Sequence, residues 1–196
     1  MKKLYSVITV AALAVGIGSA WVYNDINHSS SHSYAVSKTF NSTEEITEDS
    51  QVIIKGSIQN EYKEEKIGNL LYYVYEVQVN KVYNNLTDQK IDEGVTISLY
   101  RLIGIDTGSD VANIVDDENQ EIVKGDYLLF LNGGYVEELN KDILVPNTPN
   151  QLFKLNQSNG FSLGKSNSNE FENIFESDAL PSISEENLIK AIDKIK

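Results

Sequence analysis

The chain has 196 residues, with 16 lysines and arginines against 29 acids, a net charge of −13 and no cysteine. That length fits one domain with appendages and is short for two. The missing thiols exclude disulfides, thiolate metal sites and lipid attachment through cysteine, and the acidity repels phosphate backbones, so nucleic acid is not an expected partner.

Met1-Lys-Lys leads into Leu4 to Tyr23, twenty residues without a charge. A run of that length spans a bilayer. Lys2 and Lys3 hold its near end in the cytoplasm while Trp21 and Tyr23 suit the far headgroup layer, which puts the rest of the chain outside. Length favours a retained single-pass anchor over residues 1–23. Gly18-Ser19-Ala20 resembles a signal-peptidase site, which leaves secretion after cleavage near Ala20 as the alternative. Residues 24–41 are polar and serine-rich, the composition of a flexible linker. His28 and His32 stand four apart, as helix-borne ligands do, but serine-rich neighbours disfavour a helix and no third ligand is near, so no metal is expected. Asn27, Asn41, Asn85 and Asn156 each head a glycosylation pattern that an asparagine-rich chain produces by chance.

Residues 42–178 read as a β domain. Ser42 to Ser50 suits one or two helical turns, with Ser42 or Thr43 as cap. Gln51 to Ile58 is a β-branched strand in which Gly56 marks a bulge or a close backbone approach. A charged loop, Gln59 to Asn69, precedes a long strand from Leu70 to Tyr83. Tyr75, Val77 and Val79 point to one face of it, and Glu76, Gln78 and Asn80 to the other. At Lys81-Val82 the parity slips, as at a bulge that bends a long strand. Gly94 to Arg101 alternates again with Val95, Ile97 and Leu99 inward, and a loop runs from Gly104 to Glu121. Ile122 to Gly134 reads as a buried strand: Tyr127 to Leu131 is too short for a helix, Gly125 is expected at positive φ, and both faces need cover. Leu139 to Val145 and Gln151 to Leu155 make shorter strands, and 156–169 a loop-rich tail.

Residues 179–196 close the chain as an amphipathic helix. Ser184 is its cap, Ile183 and Leu188 its hydrophobic staple, and Leu188, Ile189, Ala191, Ile192 and Ile195 its apolar face. That face is expected over an open barrel end, or else in a partner's groove.

Taken in order, Asp49 to Ile58, Tyr75 to Tyr83, Gly94 to Ser98 and Ile122 to Leu131 resemble the OB-like barrels of the netrin-like type. That type includes the tissue inhibitors of metalloproteinases and similar exported proteins of Gram-positive bacteria. The resemblance covers roughly residues 45 to 155 and implies an all-β fold, a small antiparallel OB-like barrel between an N-terminal transmembrane helix and the C-terminal helix. It implies no activity. The inhibitors chelate zinc through a free N-terminal cysteine, and no residue here matches it.

Three groups of residues invite chemistry. Asp106-Thr-Gly-Ser, after Ile103-Gly-Ile, is similar to the aspartic-protease signature, but two such aspartates must share a proton, so one copy needs a retropepsin-like homodimer. Asp116, Asp117 and Glu118 open an acidic run whose carboxylates suit cations, yet Glu121 stands where an EF-hand loop needs glycine. Tyr72, Tyr73 and Tyr100 belong to a larger set of tyrosines, Tyr62 among them, suited to stacking on a ligand or to packing. The sequence thus reads as a membrane-tethered, extracytoplasmic binding module without cofactor. Its expected ligand is a basic protein or a cell-envelope component. A homodimeric protease acting through Asp106 is the alternative.

Overall fold

The structure, a computed structural model, describes residues 38–113, 121–155, 170–175 and 179–195. The expected anchor, all of the linker before residue 38, Asp116, Asp117, Glu118 and the 156–169 tail lie outside those residues.

Among the described residues ten strands and two α-helices follow one another: α1 Thr43–Glu48, β1 Val52–Ile58, β2 Lys63–Ile67, β3 Leu70–Asn85, β4 Thr96–Asp106, β5 Val111–Asn113, β6 Gly125–Val136, β7 Lys141–Val145, β8 Leu152–Leu155, β9 Glu170–Asn173, β10 Ser182–Ser184 and α2 Glu185–Ile195. The chain is predominantly β. Among the described residues no helix is long and apolar enough to cross a membrane.

The sheet is arranged around β6. Its residues Tyr127 to Leu131 have no exposed surface. One edge pairs antiparallel with the whole of β1, from Val52 opposite Leu131 to Ile58 opposite Gly125. The other edge forks: Asn132 to Val136 pair with β7, and Tyr127 to Leu129 pair with β8. The β8 branch runs on through β9 to β10. The β7 branch reaches β4 through one parallel rung, Leu99 opposite Leu144, and β4 pairs with β3, β3 with β1.

Alternation along these strands sorts the side chains into separate clusters. Val52, Ile54, Tyr75, Val77, Leu99, Leu129 and Leu131 fill the first. Their neighbours Ile53, Leu128 and Phe130 point the other way, onto Phe153, Phe171, Ile183, Ile46 of α1 and Leu188 and Ile192 of α2. Each such fully buried side chain contributes about 1.5–3 kcal/mol. A strand with five successive apolar residues has two faces to cover, and the helices cover the second.

This corrects the expectation for the C-terminal helix. It lies on the face of β1, β6, β8 and β9 rather than on a barrel end. It begins at Glu185, because Ser182–Ser184 pairs as β10. Leu188, Ala191 and Ile192 are buried, while Ile189 and Ile195 stay 44% and 45% exposed, so the buried stripe is narrower than the apolar one. The expected cap is present, with the Asn187 N–H donating to Ser184 Oγ at 3.3 Å.

Two expected loops are partly strand. Lys63-Glu-Glu-Lys-Ile pairs with Leu70–Val74 as β2, an edge whose charges deter further pairing. Val111–Asn113 folds back on Gly104–Asp106 as β5. The bulges are real: against β1, β3 carries extra residues at Tyr83 and Asn80. Gly56 sits beside the second, where a Cβ would overlap Val77 Cγ1 and stand 3.1 Å from the Gln78 carbonyl oxygen. Gly125 opens β6 at φ +156°.

Candidate functional site

Strands β3 and β4 present two chemically different faces. Tyr73 opposes Arg101, and Val74 opposes Tyr100. Tyr73, Tyr75 and Arg101 therefore project toward the first cluster. Tyr72, Val74 and Tyr100 project away from it, into a third cluster with Ile67, Val136 and Ile143.

On that third cluster Tyr72 and Tyr100 meet edge to face, with centroids 5.9 Å apart. Tyr100 donates to Glu65 Oε2 at 3.1 Å, and the Lys141 ammonium lies 5.1 Å from the Tyr100 ring centroid. Burial, with the Glu138 carboxylate adding to it, pushes the Tyr72 phenol up to about 12. Both rings are buried, at 8% and 1% exposure, so their faces are spent on packing. Around them Leu70, Leu102, Leu139 and Val145 remain partly exposed. No residue of this cluster comes from either helix.

On the first cluster's side, Tyr62 stacks on Tyr73 with centroids 3.7 Å apart and an interplanar angle of 17°. Tyr75 is tilted, 5.8 Å away. The segment entering β6 is tied to this group. Tyr62 donates to Glu121 Oε1 at 3.0 Å, the Ile122 N–H donates to the Tyr75 oxygen at 2.9 Å, and Tyr127 donates to the Val123 carbonyl. Arg101, the chain's single arginine, is 2% exposed with its guanidinium 4.9 Å from the Phe175 ring centroid. Burial lowers its pKa, and the Tyr75 phenol counteracts this. Tyr73 thus sits apart from Tyr72 and Tyr100, on the opposite face.

Asp106 ends β4 and opens the turn to β5. Its carboxylate takes the Lys66 ammonium and accepts from the Gly108 N–H at 2.7 Å. Lys66 first, then that N–H, hold its pKa below the usual carboxylate value. The Thr107 N–H donates to the Asp110 carbonyl at 2.9 Å and Gly108 takes φ +85°, so Asp-Thr-Gly-Ser closes a hairpin. Among the described residues no group of three or more His, Cys, Asp or Glu side chains assembles. A groove of about 470 Å³ runs between α1 and α2, lined by Thr43, Glu44, Asn187, Lys190, Asp193 and Lys194, and Lys194 and Glu44 pair across it at 2.6 Å.

Sequence reasoning passed over Arg101 and did not pair Tyr62 with Tyr73. The signal for Arg101 was present, since the alternation of Val95, Ile97 and Leu99 places residue 101 inward. Tyr62 was legible as one of many tyrosines suited to stacking, but not its partners, which arrive from β3 and from residue 121. Comparison with protein-family models, curated proteins and solved structures finds no match.

Proposed function

We propose that the chain is a non-enzymatic binding module built on an OB-like antiparallel β-barrel and held outside a cell membrane by residues 4–23. Support for the barrel comes from strand order. The path β1, β3, β4, β7, β6 returns to β1, and β6, β1, β3, β4 follow Greek-key succession. The parallel rung between β4 and β7 supplies the remaining join.

The observation that carries the binding reading is the inequality of the sheet's outward faces. Helices α1 and α2 cover the one made by β1, β6, β8 and β9. The one made by β2, β3, β4 and β7 keeps Leu70, Leu102, Leu139 and Val145 at its surface, around Tyr72 and Tyr100. Two carboxylates, Glu65 and Glu138, and one ammonium, Lys141, stand beside those rings in a chain of net charge −13. Charge complementarity supports a basic protein segment that also carries apolar side chains as the partner of this face.

The protease reading asks Asp106 to share a proton with a second carboxylate. Its engagement by Lys66 and Gly108 favours the turn role instead. The binding test is direct. An amphipathic peptide of lysine and leucine should bind the full chain, more weakly as salt rises, and the double substitution Leu70→Asp and Leu102→Asp should weaken it at least tenfold. Leu86→Asp, at a residue 71% exposed elsewhere, is the control. Equal binding by all three proteins would overturn the assignment.

A further inference from the structure

We propose that Tyr62 and Tyr73 are a site of oxidative cross-linking, joined as dityrosine by a peroxidase-type one-electron oxidant with hydrogen peroxide. Radical coupling of phenols needs an ortho carbon of one ring to reach an ortho carbon of the other, and rings stacked at van der Waals distance need little motion to bring them together. The Tyr62 and Tyr73 rings are so placed, with centroids 3.7 Å apart and planes within 17° of parallel.

Two further features fit the chemistry. Losing an electron makes a phenol strongly acidic, so oxidation is easiest where a base takes the proton. Tyr62 donates to the Glu121 carboxylate at 3.0 Å, and that carboxylate is exposed and able to pass the proton on. Tyr62 is also partly exposed and precedes edge strand β2, so an oxidant can reach it. Tyr73 is buried beneath it and can be oxidised through the stacked ring.

The step balances. Each phenol gives up one electron and its hydroxyl proton, that of Tyr62 passing to Glu121 and that of Tyr73 passing to solvent by way of the hydrogen-bonded Tyr62 oxygen. The two phenoxyl radicals form a carbon–carbon bond between ring carbons ortho to the oxygens. The ortho hydrogens then move to the oxygens through solvent and restore both phenols. Two hydrogens leave the protein, and one hydrogen peroxide becomes two waters.

Geometry also selects the pair. Tyr75 lies 5.8 Å from Tyr62 at 57°, and its oxygen is held by the Ile122 N–H. Tyr72 projects from the other face of β3. The bond would tie the chain just before β2 to β3, fixing the hairpin that borders the Tyr72 and Tyr100 face.

The experiment treats the full chain with horseradish-type peroxidase and substoichiometric hydrogen peroxide. The expected product is a monomer lighter by two hydrogens, with biphenol fluorescence. Tryptic fragments ending at Lys63 and Lys81 should be found joined through Tyr62 and Tyr73. Tyr62→Phe and Tyr73→Phe should each abolish that product, while Tyr135→Phe should leave it. The fragment map is read on the unsubstituted chain, so a variant that fails to fold does not blunt the test. Cross-links mapped to another pair, covalent dimers alone, or an unchanged mass under conditions that couple free tyrosine would each overturn the proposal.

Discussion

Replacing Leu188 by alanine tests whether the C-terminal helix belongs to the chain's own core. Leu188 has no exposed surface and packs in the cluster that also holds Ile53, Leu128, Phe130, Phe153 and Ile183. Removing its branched end forfeits the transfer of three carbons from water and leaves a cavity that rigid strands beneath cannot close. Leucine-to-alanine changes at such sites cost about 2–5 kcal/mol, a large part of the roughly 5–15 kcal/mol that holds a domain folded. With a urea slope of about 2 kcal/mol per molar, the unfolding midpoint should fall by roughly 1–2.5 M at unchanged slope. Ile189→Ala is the internal comparison, because Ile189 is 44% exposed on the same helix. It should cost less than about 1 kcal/mol. Urea unfolding followed by circular dichroism reads both. If Leu188→Ala falls no further than Ile189→Ala, the helix is not part of the core and its apolar face serves something else.

The remaining predictions concern single residues. Gly56→Val should cost at least about 1–3 kcal/mol, because its side chain meets Val77 and the Gln78 carbonyl where β1 crosses the bulge; a thermal melt matching the parent would refute that close approach. Glu185 accepts from Lys81 and Tyr83 at 2.6 and 2.7 Å, and these hold its pKa below the ordinary glutamate value of 4.5. A depressed carboxylate stabilises the fold above its unfolded pKa, and the gain is lost as pH falls through the folded one. Stability should therefore drop below pH 4.5, and Glu185→Gln should flatten that part of the curve; a parallel drop in both proteins would contradict it. Asp106→Asn should keep peptide binding and should not change peptide hydrolysis at mildly acidic pH, which is expected to be nil; hydrolysis that vanishes in the variant would restore the protease reading.

Much of the fold was legible because alternation is a local signal. Tyr75, Val77 and Val79, and later Val95, Ile97 and Leu99, face inward as their parity requires. Gly56 and the slip near Lys81 announced the bulges of β3. What stayed hidden depends on partners distant in sequence. Lys63–Ile67 has no apolar period and becomes a strand through its rungs with β3. The helix settled on a sheet face because Leu128 and Phe130 needed cover, and a helix sequence cannot say which apolar surface it will meet. The candidate site divides in the same way. Tyr72 and Tyr100 were legible as strand aromatics and do come together, whereas Tyr73 has the opposite parity and joins Tyr62 and Arg101.

The central claim is that the face of β3 and β4 receives a basic, partly apolar partner. Amide shift mapping on the isotopically labelled chain, titrated with the lysine and leucine peptide, addresses it most directly. The account predicts perturbed amides at Leu70, Tyr72, Tyr100, Leu102 and Lys141, weakening with added salt as Glu65 and Glu138 are screened. Perturbation centred on the groove of Thr43, Lys190 and Lys194, or none at all, would contradict it.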